Sequence, residues 1–250
     1  NDATTLNQIG SQVVSDGYDA VMPIATLAAQ CMQNATEGTD IPVVYAAVSD
    51  PETAGLTAEN VTGTSDALNT DFILDMMFAQ NPDIQTVGLL YSLSEDNSKQ
   101  PIEDAKTYLD AKGVKYVEGT GNTTDEIVAA TNNMLDQVDA IFTPTDNRVM
   151  DAELTIAESL IEAGVPHYTG ADSFVRNGAF ATCGVNYTEL GAYTADMVVD
   201  AMVNGNLPDF HVMDGGIITV NTETAEGLGA DCSVFKTMAG EVVEVTTTED

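Results

Sequence analysis

Short apolar runs recur along this chain, and five of them stop abruptly at small polar loops. Ala20–Ala25 runs into Thr26, Pro42–Val48 into Ser49-Asp50-Pro51, and Thr86–Tyr91 leads to Ser94-Glu95-Asp96-Asn97-Ser98. Ala140–Pro144 gives way to Thr145-Asp146-Asn147, and Pro166–Tyr168 to Gly170-Ala171-Asp172-Ser173. A helical spacing of apolar residues usually follows. Such alternation predicts an α/β fold in which helices flank a parallel sheet. Ligands of such sheets sit beyond the carboxyl ends of the strands. The loops therefore belong on a common rim, and their hydroxyls, amides and carboxylates suit a binding cleft better than an active site.

The first predicted element is a helix over Thr4–Ser15, with Leu6, Ile9, Val13 and Val14 near helical spacing and Asp2 or Thr4 as its cap. A strand at Ala20–Ile24, a helix at Thr26–Asn34, a strand at Ile41–Val48 and an extended piece at Asn60–Ser65 follow. Ala67–Ala79 reads as a helix with Phe72, Ile73, Met76 and Met77 on one side. Three strand–helix pairs come next: Val87–Tyr91 with Pro101–Ala111, Val114–Glu118 with Thr124–Gln137, and Ala140–Phe142 with Val149–Ala163. Strands at Pro166–Thr169 and Ala179–Val185 precede a long helix at Tyr187–Asn204. The chain ends in a strand at Gly215–Val220, a short helix at Thr222–Leu228 and a Thr/Glu-rich tail expected to fray. Gly113, Gly164 and Gly205 follow helical patterns, where a left-handed residue is wanted. With no repeat and no low-complexity linker, any connection between lobes must be short.

Composition narrows the class. The chain has 250 residues, enough for one large domain or two medium lobes. A hydrophobic content of 44% and a mean hydropathy of −0.02 are those of a folded, soluble protein. No apolar stretch approaches the roughly 18 residues that would suggest a membrane span. The chain opens at Asn1 rather than Met, and not on a Lys- or Arg-led apolar segment, as expected of a processed or truncated product whose export signal is absent or already removed.

Charge is the extreme property, with 7 basic against 40 acidic side chains and a net charge of −33. Such a field repels phosphate backbones, which excludes nucleic acid as a partner, and it reads first as a solvated surface. The Asp-x-Asp-x-Asp-Gly spacing of a calcium loop does not occur, and no metal or cofactor is expected. Cys31, Cys183 and Cys232 lack CxxC spacing, so neither a zinc ribbon nor a redox motif is encoded. Cys31 and Cys183 read as buried core thiols, and the odd count argues against a disulfide framework; a single Cys183–Cys232 bridge is the alternative.

The sequence has no GxSxG, HExxH, GxxxxGK[ST] or GxGxxG. His167 and His211 are the only histidines, and His167 lies within a strand-like run, where packing is the commoner role. A zwitterionic amino acid, by contrast, needs donors for its carboxylate, acceptors for its ammonium and an apolar or aromatic wall. Helix N-termini and the hydroxyls of Thr26, Ser49, Ser65, Ser94 and Thr145 offer donors. Glu95, Asp146 and Asp172 offer acceptors, with Asn97 and Asn147 completing the hydrogen bonds. Tyr91 and Tyr45 offer ring faces. Each of these polar residues also reads as a plain helix cap, since Ser, Thr, Asp and Asn are the preferred caps.

The same loops carry a family resemblance. Ile24-Ala25-Thr26-Leu27-Ala28-Ala29-Gln30, Ile41 through Pro51, Ala54-Gly55-Leu56 and Asn60-Val61-Thr62-Gly63 resemble one family of ABC-importer substrate-binding proteins, which includes binders of tryptophan and other aromatic amino acids. Val87-Gly88-Leu89-Leu90-Tyr91, Asp139 through Asn147, Asn177-Gly178-Ala179 and Val185 through Gly191 agree. The match runs in order over nearly the whole chain. It implies a two-lobe type I periplasmic-binding-protein fold, each lobe a parallel sheet flanked by helices, closing on its ligand. Crossovers are expected near Ser65–Asp66, Gly184–Asn186 and Gly215–Ile218. Residues 1–66 with 186–216 then form the N-terminal lobe and 67–185 the C-terminal lobe, with 217–250 supplying a crossover, the last helix and the tail. The resemblance also implies a strand, a helix and a strand ahead of Asn1, which this chain lacks.

The expectation is a non-enzymatic, extracytoplasmic binding protein, lipid-anchored and monomeric, that captures an aromatic amino acid for an ABC permease. Its expected ligand-binding residues are Thr26, Ser49, Asp50, Ser65, Tyr91, Glu95, Asn97, Asp146, Asn147 and Asp172. The alternatives are the sensing domain of a membrane receptor and a hydrolase using His167.

Overall fold

The computed structural model describes residues 2–205 and 207–248. The chain divides into two compact units, Asn1–Ala67 with Val185–Asp214 and Leu68–Gly184 with Gly215–Asp250. In chain order, α1 (Ala3–Asp16) and α2 (Thr26–Ala35) precede β1 (Val43–Tyr45), β2 (Val61–Ser65) and α3 (Thr70–Gln80). Then follow β3 (Thr86–Tyr91), α4 (Asp96–Lys112), β4 (Lys115–Thr120), α5 (Thr124–Met134), β5 (Ala140–Thr143), α6 (Asn147–Met150) and α7 (Glu153–Ala163). β6 (His167–Thr169), α8 (Asp172–Arg176), β7 (Ala181–Gly184), α9 (Tyr187–Asn204) and β8 (His211–Val212) come next. β9 (Ile217–Asn221), α10 (Thr222–Leu228), a 3-10 turn at Ser233–Thr237 and β10 (Glu241–Val245) close the described chain.

The second unit holds a seven-stranded sheet in the order β10-β9-β7-β6-β5-β3-β4. Its neighbours are parallel apart from the antiparallel β7–β9 pair. The central strands are apolar on both faces, as strands covered by helices must be; β5 is buried throughout and β3 at its four middle residues. Ile73, Leu74, Met76 and Met77 of α3 pack with Leu89, Phe142, Tyr168, Phe180 and Phe235 in one core. Gly113 and Gly164 end α4 and α7 at φ 70° and 71°, the left-handed cap their sequence positions predict.

The first unit is built on the parallel order β1-β2-β8. Its core is made of smaller clusters, including Ala29, Tyr45, Val48, Ala54 and Leu56. Val44 packs with Met197 and Ala201 of α9.

Several expectations need correction. Ala20–Ile24 is not a regular strand; it meets β1 only through bridges at Val21↔Val43 and Ile24↔Ala46. Val21 N–H reaches the Pro42 carbonyl, and the Pro23 carbonyl accepts from Ala46 N–H. Pro23 has no N–H to give in return, so the ladder breaks at its middle rung. The helix expected over Val149–Ala163 is two helices, α6 and α7, divided at Asp151–Ala152. Helix α4 starts at Asp96 rather than Pro101, which lies inside it. The tail does not fray at Glu241–Val245, which pairs in parallel register with all of β9. Its Glu-Val-Val-Glu-Val pattern gives an edge strand with two outward carboxylates. Cys31 and Cys183 are buried free thiols, as expected, and Cys232 is a half-buried one, so the alternative Cys183–Cys232 bridge is not formed.

Candidate functional site

In the second unit the loops after β3 and β5 meet on one carboxylate. Asp146 is fully buried, and its Oδ2 accepts from Ser92 N–H at 2.7 Å and from Ser98 Oγ at 2.6 Å. Its Oδ1 accepts from the N–H groups of Arg148 and Val149 at 3.0 and 3.1 Å, capping α6. A carboxylate offers about four acceptor positions, and these four donors take them. Asp146 is thus an organiser of both loops.

Glu95 ties the same loops from the other side. Its Oε2 accepts from Asn147 Nδ2 at 2.8 Å, Asn147 N–H at 3.2 Å and Asn97 Nδ2 at 3.3 Å. Asn97 also donates to the Thr145 carbonyl at 2.6 Å. Burial, and then the neighbouring Asp146 carboxylate, push the Glu95 carboxyl up against the pull of these donors. Ser92 Oγ extends the network to Asn122 after β4, at 3.1 Å, and to Ser94 at 2.7 Å.

Two expected residues stand apart. Tyr91 donates its hydroxyl to Glu118 of β4 at 2.6 Å; burial and that carboxylate push its phenol up to about 12. Asp172 opens α8 and pairs with Arg176 one turn on, at 2.9 Å.

In the first unit, Thr26, Ser49 and Ser65 close the runs of three neighbouring chain segments at their carboxyl ends. Thr26 is buried at the start of α2, whose cap residue Ala25 has φ 70° and no side-chain capping bond. Ser65 Oγ donates to the Ser49 carbonyl at 2.9 Å and accepts from Ala67 N–H at 3.1 Å. Asp50 accepts from Thr53 N–H at 2.9 Å, as the cap reading has it. Tyr45 offers no wall, because it is buried against Gly63 of β2.

Ser49 Oγ donates at 2.9 Å to Asp66, a residue outside the expected set. Asp66 is 6% exposed and takes a second hydroxyl, Tyr187 Oη, at 2.8 Å. Burial pushes its carboxyl up, partly offset by those two bonds. The signal for Asp66 was its place directly after a strand, beside Ser65. Ser92 and Ser98 were missed because their role depends on Asp146, some fifty residues away in sequence.

His167 is 2% exposed, its ring held between Glu153 Oε1 at 3.1 Å and Thr143 Oγ1 at 2.8 Å. A base enclosed in this way has no access to a substrate. Among the described residues no group of three or more His, Cys, Asp or Glu side chains is arranged to hold a metal ion. Nor is any described helix long and apolar enough to cross a membrane.

Residues 1–235 match the family described as ABC transporter substrate binding protein. The chain belongs to that family. It is 30% identical over 236 residues to a tyrosine-binding protein of Clostridioides difficile, covering 91% of this chain and 68% of that one. A Streptococcus pneumoniae ABC domain solved in complex with L-Trp is 32% identical, with a TM-score of 0.88 over 97% of this chain and 86% of its own. The ligand-free, open structure of a substrate binding protein with adhesive properties from Clostridium difficile is also 32% identical, with a TM-score of 0.69 over 99% and 85%. These likenesses give a type I periplasmic-binding-protein fold and a solute-binding family that is extracytoplasmic in general.

Proposed function

We propose that this protein binds one aromatic L-amino acid, of the tryptophan and tyrosine kind, and delivers it to an ABC permease. It does so as a monomer, lipid-anchored outside the cytoplasm and without catalysing a reaction. The observation that carries this reading is the 32% identity and 0.88 TM-score to a protein solved with L-Trp. The tyrosine-binding relative supports it independently.

The residue chemistry is compatible. Neither 1–67 nor 185–214 contains a Lys or Arg, so in that unit a ligand carboxylate must meet backbone N–H groups and hydroxyls. The start of α2, with no side-chain cap, offers both through its first-turn amides and Thr26. Ser49 and Ser65 of the first unit, and Glu95, Asn97 and Asn147 of the second, remain proposed ligand-binding residues; Tyr91 is assigned to its bond with Glu118. Asp50, Asp146 and Asp172 are assigned to holding their own loops.

Native mass spectrometry of the protein as purified tests the proposal. An added mass equal to tryptophan, tyrosine or phenylalanine, lost on unfolding and regained on adding the free amino acid, is the expected result. A sugar or nucleoside mass in its place would refute it.

A further inference from the structure

Asp66 carries a feature that its structural contacts do not require. Its two side-chain donors, Ser49 and Tyr187, are both neutral hydroxyls. The unit that contains it has no Lys or Arg, and His211, its one histidine, stacks on Tyr193 with ring centroids 4.1 Å apart. A buried charge without a cation is costly, and an amide of the same shape would satisfy two hydroxyls at less expense. Its own backbone N–H also bonds to the carboxylate, which leaves one of the roughly four acceptor positions open. The group follows β2 directly, at the end of a parallel sheet where ligands sit.

We infer that Asp66 accepts the ammonium group of the bound amino acid, with Ser49 and Tyr187 as positioning residues that aim it. This rests on the amino-acid reading above. A primary ammonium has three donors and no acceptor, so it complements an acceptor-only group flanked by hydroxyls. Asp66 then sets specificity for amino acids over the corresponding carboxylic acids.

The test compares wild type, Asp66→Asn and Tyr187→Phe by titration with L-Trp and L-Tyr. The paired probes are indole-3-propionate and 3-(4-hydroxyphenyl)propionate, which lack only the ammonium. Asp66→Asn is expected to weaken the amino acids roughly tenfold or more while moving the des-amino acids by less than about threefold, since a lost charge-assisted bond affects only the ligand that made it. Equal weakening of both members of a pair, or of neither, overturns the inference. If Asp66→Asn does not fold, Tyr187→Phe decides: a larger loss for the amino acid supports the inference and an equal loss overturns it. Failure of the wild type to bind any of the four probes would instead refute the amino-acid reading itself.

Discussion

Ser98 donates its hydroxyl to Asp146 at 2.6 Å, joining the first turn of α4 to the cap of α6 across 48 residues of sequence. Both residues are fully buried. The bond makes the loops after β3 and β5 one polar body, in which Glu95, Asn97 and Asn147 are then arranged.

Removing Asp146 should therefore damage the fold before it damages binding. Asp146→Ala leaves the N–H groups of Ser92, Arg148 and Val149 and the Ser98 hydroxyl without their acceptor. A loss of about 3–5 kcal/mol is expected, as for breaking a buried charged network. Ser98→Ala should cost about 1 kcal/mol, and nearly nothing in the Asp146→Ala background. Urea unfolding of the three variants measures this. Independent, additive losses would show that the pair is not coupled.

Gly63 faces Tyr45 across β1 and β2. A Cβ built on it would lie 2.1 Å from the Tyr45 carbonyl oxygen and 2.4 Å from its ring. Gly63→Ala must separate the two strands or expel a ring that is 2% exposed. It should lower stability by about 2–4 kcal/mol, the range of a disrupted core contact. Thermal unfolding checks this, and a melting temperature equal to wild type would contradict the packing described.

Asp66 should trade stability for binding. Burial raises its carboxyl above the ordinary value of 3.8, so the folded state holds its proton more tightly than the unfolded chain. Its contribution to stability is then fully present below that value and is lost as pH rises through the folded-state value. In the absence of ligand, Asp66→Asn removes this pH-dependent loss. Its melting temperature at pH 7 should therefore exceed that of wild type. The difference should vanish below pH 4. A variant less stable than wild type at pH 7 would contradict a buried charge that the fold does not need.

Salt should stabilise the protein. With a net charge of −33 and all basic residues in the second unit, self-repulsion opposes the compact state, and counterions screen it. The urea midpoint should rise steadily between about 0.05 and 1 M NaCl, over which the screening length falls several-fold. A midpoint independent of salt would show that the carboxylates are already compensated locally.

Much of the second unit was legible in the sequence because β3 and β5 are apolar on both faces and α4 and α7 end at Gly113 and Gly164. Thr222–Leu228 was placed to the residue. Ala20–Ile24 was misread because hydrophobicity does not reveal the rung that Pro23 removes. β10 was misread because a short edge strand with two exposed Glu residues resembles a polar tail until β9 is beside it. The hydrogen-bond partners of the polar residues were only partly legible. Asp146 and Asp50 cap their own loops, as local sequence suggests, whereas the bond from Tyr187 to Asp66 spans 121 residues and has no local signature.

Isothermal titration calorimetry of the ligand-stripped protein tests the central claim most directly. L-Trp and L-Tyr should each give saturable binding with one site per chain and a Kd of about 10 μM or tighter, roughly −7 kcal/mol. L-Ala and glucose should give no heat beyond dilution. Saturable binding of glucose with no response to either aromatic amino acid would contradict the account.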